Sequence, residues 1–275
     1  MNIFFVIIIF NQIVIHQKSK FIPKEEVLKL KYLDGKYYRI YYLKEKEEKK
    51  ALFAYQVLNK GDSIFREITG LELEEEKYNL ILLDTSGIFY TDLPNSVILT
   101  YIDDIVTFKD RIFWEFKRKM ENILDKYFDY KKNRFVFDGL LNLIIYEIMT
   151  LFWPENFYRL SQKIADNFGY SNKIYDLSKW KTFELFKFKK DDWNFYYYIS
   201  PYFWAKIIDK SKNPNLVKDF IKELRNSKDI SQKEIIKILE RLTRLNIKKE
   251  LKISSNEIYN NICKYWYFIK VPKDM

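Results

Sequence analysis

Three aspartates in the N-terminal half of the chain stand where they could hold metal ions. Asp84 directly follows the apolar run NLILL, and Asp103 and Asp104 directly follow the run VILTYI. Both runs have the length and the β-branched composition of buried strands. Carboxylates at the ends of neighbouring strands bind the two Mg²⁺ ions of phosphoryl-transfer sites, about 4 Å apart. These three residues therefore allow a Mg²⁺-dependent nuclease or nucleotidyl transferase, or they simply end strands at turns.

The segment that contains two of these aspartates, Tyr101-Ile102-Asp103-Asp104, resembles the Tyr-x-Asp-Asp motif of reverse transcriptases. In that family the two aspartates bind metal together with an aspartate further upstream. The resemblance implies a metal-binding role for Asp103 and Asp104, with Asp84 as the upstream ligand. Only 19 residues separate Asp84 from Asp103, whereas the family places a helical template-gripping segment in that interval.

A polar loop made of Asp84, Thr85, Ser86 and Gly87 follows the first of the two strands. Its hydroxyl and backbone N–H groups could bind a phosphate, because strand ends are where α/β sheets bind nucleotides. The loop resembles the Asp/Thr/Gly loop of the Rossmann-like sensor domains of CRISPR accessory proteins, some of which carry a C-terminal winged helix. The resemblance implies a nucleotide-sensing domain. The Arg-x4–6-His motif of the effector nucleases in that family has no counterpart, because the chain has no C-terminal histidine.

The positive charge of the chain is concentrated in its C-terminal part. Residues 1–150 contain 23 Lys and Arg against 23 Asp and Glu, whereas residues 151–275 contain 25 against 15. The second part therefore accounts for the whole net charge of +10. A basic region joined to a neutral one indicates a polyanionic partner, such as nucleic acid. The alternative is a set of lysine-rich helices that face solvent.

The stretch ISQKEIIKILERLTRLNIKKEL, residues 230–251, predicts one amphipathic helix. Ser231 and Glu234 form a capping-box pattern at its start. Five cations recur every three or four residues, which would align them on one side of that helix. The five are Lys233, Lys237, Arg241, Arg244 and Lys248. Such a line could follow the phosphates of a nucleic acid, or it could be a solvated face balanced by neighbouring glutamates.

The stretch LSQKIADNFGYSNKIYDL, residues 160–177, predicts two short helices joined by a turn at Gly169. Apolar residues lie four apart on the first helix, and Ser171 could cap the second. Two strand-like segments follow, TFELFKF and WNFYYYI, and a long apolar helical pattern precedes over residues 140–152. This order of elements resembles winged-helix DNA-binding domains over residues 140–199.

The resemblance to winged-helix domains implies that the second helix of the pair meets nucleic acid. Asn172 and Lys173 are then the candidates for base contact, because amide and ammonium groups can pair with base edges. Lys179 and Lys181 are further candidates for contact with nucleic acid. The alternative is a helical subdomain with a purely structural role.

Composition limits the other kinds of site. The chain has one cysteine, Cys263, and one histidine, His16, which excludes internal disulfides, cysteine-based zinc clusters and pairs of metal-binding histidines. The apolar run of residues 3–10 is far shorter than the about 20 residues of a membrane-spanning helix. We therefore expect a buried strand there, no membrane segment and a cytoplasmic protein. The lysine- and glutamate-rich composition would suit a thermophile, although an AT-rich genome gives a similar composition.

These patterns predict an α/β or, more broadly, an α+β fold with two domains. Residues 1–107 are predicted to form a Rossmann-like α/β domain, because strand-like runs alternate with helical patterns. Residues 108–275 are predicted to form a basic, mainly helical domain that includes the winged-helix-like segment. We expect a protein that binds DNA or RNA as a regulator or as a non-catalytic subunit of a nucleic-acid-processing complex, with protein partners. No cofactor is expected unless the Mg²⁺-dependent alternative holds.

Overall fold

The computed structural model of the chain is a mixed α and β structure in which helices predominate and the sheets are small. The described residues are 19–71, 77–83, 85, 88–100, 104–128, 133–169, 172–179, 194–227 and 230–265. The strand predicted at residues 3–10 lies outside them. Within these ranges, no helix combines the length and the apolar character that crossing a lipid bilayer requires.

The chain divides into two compact units that are discontinuous in sequence. The N-terminal unit consists of residues 1–62 and 73–112, and the C-terminal unit consists of residues 63–72 and 113–275. The sequence predicted one boundary, at residue 107. Two of the three boundaries, after residues 62 and 112, fall inside long helices, so no linker composition marks them in the sequence.

The N-terminal unit contains most of the strands. Its described elements, two of which continue into the other unit, are β1 (Lys20–Ile22), α1 (Lys24–Val27), β2 (Lys31–Asp34), β3 (Tyr38–Tyr42), α2 (Glu48–Thr69), β4 (Tyr78–Leu83), β5 (Phe89–Thr91), β6 (Ser96–Thr100) and α3 (Ile105–Phe128). The strands predicted from the runs NLILL and VILTYI are confirmed as β4 and β6. Their apolar, β-branched residues suit a sheet that is covered on its faces.

Four strands of the N-terminal unit form one sheet in the order β2-β3-β4-β6. β2 is antiparallel to β3, whereas β3, β4 and β6 are parallel, so their carboxyl ends lie at one edge. α2 connects β3 to β4 and is the crossover that a parallel pair needs. From β3 to β6 the strands are added in one direction, without the reversal that forms the nucleotide-binding crevice of a doubly wound sheet. The Rossmann-like character of the unit stays a prediction.

The core of the C-terminal unit is formed by helices and by a two-stranded sheet. After α3, its described elements are α4 (Arg134–Phe152), α5 (Asn156–Phe168), β7 (Ile174–Asp176), a π-helical turn (Phe195–Ile199), α6 (Ser200–Ser211), α7 (Leu216–Asn226), α8 (Gln232–Thr243), α9 (Ile247–Glu250), β8 (Lys252–Ser254) and α10 (Ser255–Tyr265). The apolar helical pattern of residues 140–152 is confirmed as the main part of α4.

Close packing of α4 against α6 positions the elements around it. Gly139 of α4 faces the backbone of Ser200 so closely that a Cβ at position 139 would clash with it. Across the same contact, the indole N–H of Trp204 donates to the carbonyl oxygen of Val136 at 2.8 Å. Both of these residues are fully buried. The glycine therefore allows the short distance between the two helices.

The second helix predicted within residues 160–177 is wrong. α5 ends at Phe168, before the predicted turn, but Ile174–Asp176 form strand β7, which pairs antiparallel with β8. Tyr175 is buried and Ile174 is exposed, which is the alternation of a strand. Because β8 comes much later in the chain, local spacing could not reveal this pairing.

The strand predicted from WNFYYYI is a π-helical turn instead. Phe195–Ile199 form this turn, which continues directly into α6. Aromatic residues favour strands, but here tertiary hydrogen bonds decide the conformation. The side-chain amide of Asn142 donates to the carbonyl oxygen of Tyr196 at 2.7 Å, and the hydroxyl of Tyr146 makes a similar bond one residue further on, at 3.1 Å.

The described part of residues 140–199 therefore does not have the winged-helix order of elements. β7 takes the place of the second helix, and the π-helical turn takes the place of one strand of the wing. The other predicted wing strand, TFELFKF, lies outside the described residues.

Candidate nucleic-acid interface

Two amphipathic helices bring many basic residues of the C-terminal unit to the surface. α7 and α8 pack against each other and bury apolar residues at helical spacing, such as Phe220 on α7 and Ile235 and Leu239 on α8. α8 begins at the predicted cap, where the hydroxyl of Ser231 accepts a hydrogen bond from the N–H of Glu234 at 3.3 Å. The apolar stripes leave the charged sides of both helices facing solvent.

Every lysine and arginine described between residues 212 and 252 is exposed. We refer to these eleven residues as the basic surface: Lys212, Lys218, Lys222, Arg225, Lys233, Lys237, Arg241, Arg244, Lys248, Lys249 and Lys252. The five carboxylates described in the same segment are all partly or fully buried: Asp219, Glu223, Glu234, Glu240 and Glu250. The solvent-facing side of the segment is therefore more positive than its composition alone indicates.

The prediction of a single helix over residues 230–251 is wrong, because the helix ends at Arg244. This residue adopts a left-handed φ of 59°, and the short helix α9 begins after it. The side-chain oxygen of Asn246 caps α9 by accepting a hydrogen bond from the N–H of Lys249 at 3.0 Å. The predicted line of five exposed cations is thus divided: Lys233, Lys237 and Arg241 lie along α8, and Arg244 and Lys248 lie beyond its end.

Three cations of the basic surface are partly neutralised by neighbouring carboxylates, and one of them is Lys212, whose ammonium group lies 3.2 Å from Asp209 on α6. Lys237 lies 3.0 Å from Glu234 on the same helix, and Arg241 lies 2.8 Å from Glu223 on α7. Exposed ion pairs of this kind contribute only about 0–1 kcal/mol, so an incoming phosphate can compete for these cations. Among the described residues, no ion pair is formed by Lys233, Arg244 or Lys248.

The contact residues predicted between 172 and 179 lie beside one end of the basic surface. β7 pairs with β8, which carries Lys252. The side-chain oxygen of Asn172 accepts a hydrogen bond from the amide of Asn256 at 3.0 Å. Lys173 and Lys179 are exposed, and Lys181 lies outside the described residues. The structure therefore brings two separately predicted groups of residues to neighbouring elements.

The predicted metal ligands follow two neighbouring parallel strands, β4 and β6. Of these ligands, Asp104 is described. Its carboxylate accepts hydrogen bonds from the N–H of Thr107 at 2.8 Å and from the hydroxyl of the same residue at 2.7 Å. Asp104 thus caps the start of α3, which is a sufficient structural reason for a carboxylate at this position.

Most of the other residues predicted for the metal site and for the phosphate-binding loop lie outside the described residues. Asp84, Ser86, Gly87 and Asp103 lie outside the described residues, and Thr85 is exposed. In the part of the chain that the structure describes, no three acidic, histidine or cysteine side chains are grouped closely enough to bind a metal ion. The phosphate-binding and metal-binding roles stay predictions.

A set of buried charges in the C-terminal unit was not predicted from the sequence. We call it the buried network: Lys117, Glu121, Arg134, Asp138 and Tyr196. The ammonium group of Lys117 contacts the hydroxyl of Tyr196, which in turn donates to Glu121 at 3.4 Å. Arg134 lies 3.0 Å from the fully buried Asp138. These contacts hold the π-helical turn against α3 and α4.

Burial shifts the pKa values of several side chains near the π-helical turn. Removal from water lowers the pKa of Lys117 to about 8, although the nearby Glu121 favours its charged form. Burial also raises the pKa of Tyr196 well above its usual range. Glu147 on α4 is 5% exposed, and its Oε1 atom has no hydrogen-bond partner among the described residues. Burial raises the pKa of Glu147 to about 9, so its carboxyl group is uncharged at neutral pH.

A signal for part of the buried network was present in α4. Arg134, Asp138, Asn142 and Tyr146 recur every four residues in a mostly apolar helix, so they lie along one side of it. Buried polar groups need hydrogen-bond partners, and a polar line of this kind indicates that another element supplies them. The identity of that element, the π-helical turn, could not be read from the line itself.

No protein-family model matches this sequence, and no curated protein is significantly similar to it. The interpretation of the basic surface therefore rests on the exposure, charge and position of its own residues.

Proposed function

We propose that this protein binds nucleic acid through the basic surface. The proposal is carried by one observation, the exposure of all eleven cations beside carboxylates that are partly or fully buried. Such a surface attracts polyanions, and each phosphate that a cation neutralises releases counterions and adds to the binding free energy.

The extent of the basic surface favours a polymer over a small anion. Nine of its eleven cations lie on α7, α8, α9 and β8, and each of these elements contacts the next. On α8 alone, cations four residues apart are separated by about 6 Å along the helix axis, because each residue rises 1.5 Å. A single phosphate cannot contact such a row, whereas a chain of phosphates can.

The proposal extends to the role of the protein as a regulator or as a non-catalytic subunit of a nucleic-acid-processing complex. Asn172 and Lys173 are the proposed base-contacting residues, because they combine exposure with side chains suited to base edges. They directly precede β7, whose partner strand β8 begins with Lys252 of the basic surface, so a strand that follows this surface could reach them. Contacts to phosphates would supply most of the affinity.

Fluorescence-anisotropy titration of the full chain tests this function. Labelled duplex DNA, single-stranded DNA and RNA are titrated from about 50 to about 300 mM salt, a range over which several phosphate contacts change affinity by orders of magnitude. We expect binding to weaken steeply with salt. We expect no dependence on Mg²⁺, whereas a metal-dependent enzyme would turn over its substrate only with Mg²⁺ or Mn²⁺.

A matched pair of charge-reversal variants locates the surface. Lys233→Glu combined with Lys248→Glu is expected to weaken binding at least about tenfold. The slope of the logarithm of the binding constant against the logarithm of the salt concentration should become shallower by about 0.9 for each lost phosphate contact. The control combines Lys49→Glu with Lys60→Glu, which reverses two exposed lysines of α2 outside the basic surface. Absence of binding by the unmodified protein, or an equal loss in both double variants, would contradict the proposal.

A further inference from the structure

An exposed tyrosine lies at the end of α3, close to the basic surface. Tyr127 is 40% exposed, and its ring centre is 6.0 Å from that of Phe128. Phe128 is fully buried and stacks on Phe137, with 5.5 Å between ring centres. The exposed ring of Tyr127 is therefore held in place from one side by the aromatic core.

Tyr127 is joined to the basic surface through an arginine. The guanidinium carbon of Arg225 lies 5.8 Å from the ring centre of Tyr127. Arg225 follows Lys218 and Lys222 on α7 at spacings of four and three residues, so the three cations share one side of that helix. A row of cations thus leads to a flat aromatic group beside a flat guanidinium group.

We infer that the basic surface takes single-stranded nucleic acid, with an unpaired base stacked against Tyr127 beside Arg225. The inference rests on the proposed function and names its substrate class. Bases in a duplex are already stacked on one another and cannot offer a face to a protein ring. In a single strand the face of each base is available, and aromatic and arginine side chains are the groups on which such bases stack.

A similar pair in the N-terminal unit shows why Tyr127 is distinguished by its surroundings. Tyr32 is 52% exposed, and the guanidinium carbon of Arg39 lies 4.9 Å from its ring centre. That arginine is neutralised by Asp34 at 2.8 Å, whereas Arg225 has no ion pair among the described residues. Of these two pairs, the pair of Tyr127 and Arg225 is the one that continues a row of exposed cations, and such a row can guide a phosphate backbone to the ring.

Binding of a labelled single strand is compared with binding of the same strand annealed to its complement. We expect the full chain to prefer the single strand. Tyr127→Ala is expected to weaken single-strand binding at least about fivefold, since stacking on an aromatic side chain contributes that much or more per base. Duplex binding by the same preparation should change little, which separates lost stacking from misfolding.

Two further variants complete the test. Tyr127→Phe keeps the ring and should retain the preference for the single strand, and Tyr32→Ala should behave like the unmodified protein. Equal or stronger binding of the duplex, or an equal loss on both nucleic acids in Tyr127→Ala, would overturn this inference while leaving the proposed function in place. Absence of binding to either nucleic acid would overturn both.

Discussion

The C-terminal unit holds two groups of charged residues that differ in burial and in pairing. In the buried network, Lys117 is 3% exposed and contacts Tyr196, and Arg134 is paired with the fully buried Asp138. On the basic surface, all eleven cations are exposed, and Arg244 is among those without an ion pair in the described residues. Lysines and arginines of one chain therefore occupy two different environments.

The difference follows from the cost of removing charge from water. A buried ion costs several kcal/mol to desolvate, so it persists only with a partner of opposite charge and further hydrogen bonds. An exposed cation has no such requirement, and its ion pairs contribute little to stability. We therefore expect substitutions in the buried network to change stability without changing the salt dependence of binding, and the reverse for the basic surface.

Removal of Asp138 is expected to have the largest effect on stability. Asp138→Ala removes the buried carboxylate that lies 3.0 Å from the guanidinium of Arg134, which is expected to lower the free energy of unfolding by about 3–5 kcal/mol. Urea denaturation measures this change. A loss below about 1 kcal/mol would place this pair with the exposed ion pairs, and the comparison between the two groups would fail.

The buried Glu147 predicts a pH dependence of stability. Its pKa is raised to about 9, so between about pH 5 and 8 the folded state keeps a proton that the unfolded state releases. The contribution of Glu147 to the free energy of unfolding therefore falls as pH rises, by about 1.4 kcal/mol per pH unit. Glu147→Gln should remove that part of the dependence, as measured by urea denaturation at several pH values. Parallel pH profiles for the two proteins would contradict the assignment.

Substitution of Arg244 by glycine is expected to change stability and nucleic-acid binding in opposite directions. Its effect on stability should be smaller than those of the two changes above. Arg244→Gly relieves the left-handed backbone conformation, and the variant should be more stable by about 1 kcal/mol. Because a cation is lost, its binding to nucleic acid should nevertheless weaken. Arg244→Gln serves as the control, since it removes the charge but retains the strained conformation. Weaker binding in both variants with a gain of stability only in the glycine variant is the expected pattern, read from urea denaturation and anisotropy.

Local patterns predicted the parts of the fold that local interactions decide. β4 and β6 were visible as apolar, β-branched runs, and the start of α8 was visible in Ser231, whose hydroxyl caps the helix. β7 was missed because its partner, β8, comes much later in the chain. The π-helical turn was mistaken for a strand because hydrogen bonds from Asn142 and Tyr146 decide its conformation.

The candidate site was predictable to a similar degree. The five cations from Lys233 to Lys248 were identified from spacing, and all are exposed. Their division at Arg244 was not foreseen, because a helical repeat does not reveal a residue with positive φ. Tyr127 could not be distinguished from the many other aromatic residues, since its proximity to Arg225 depends on the contact between distant helices.

The most direct test compares the salt dependence of binding for the two double variants, with urea denaturation of both. We expect Lys233→Glu with Lys248→Glu to bind more weakly and with a flatter salt dependence than the unmodified protein, while its free energy of unfolding stays within about 0.5 kcal/mol. The α2 control, Lys49→Glu with Lys60→Glu, should retain the original salt dependence. Identical salt dependence in both double variants would show that the basic surface is not where nucleic acid binds.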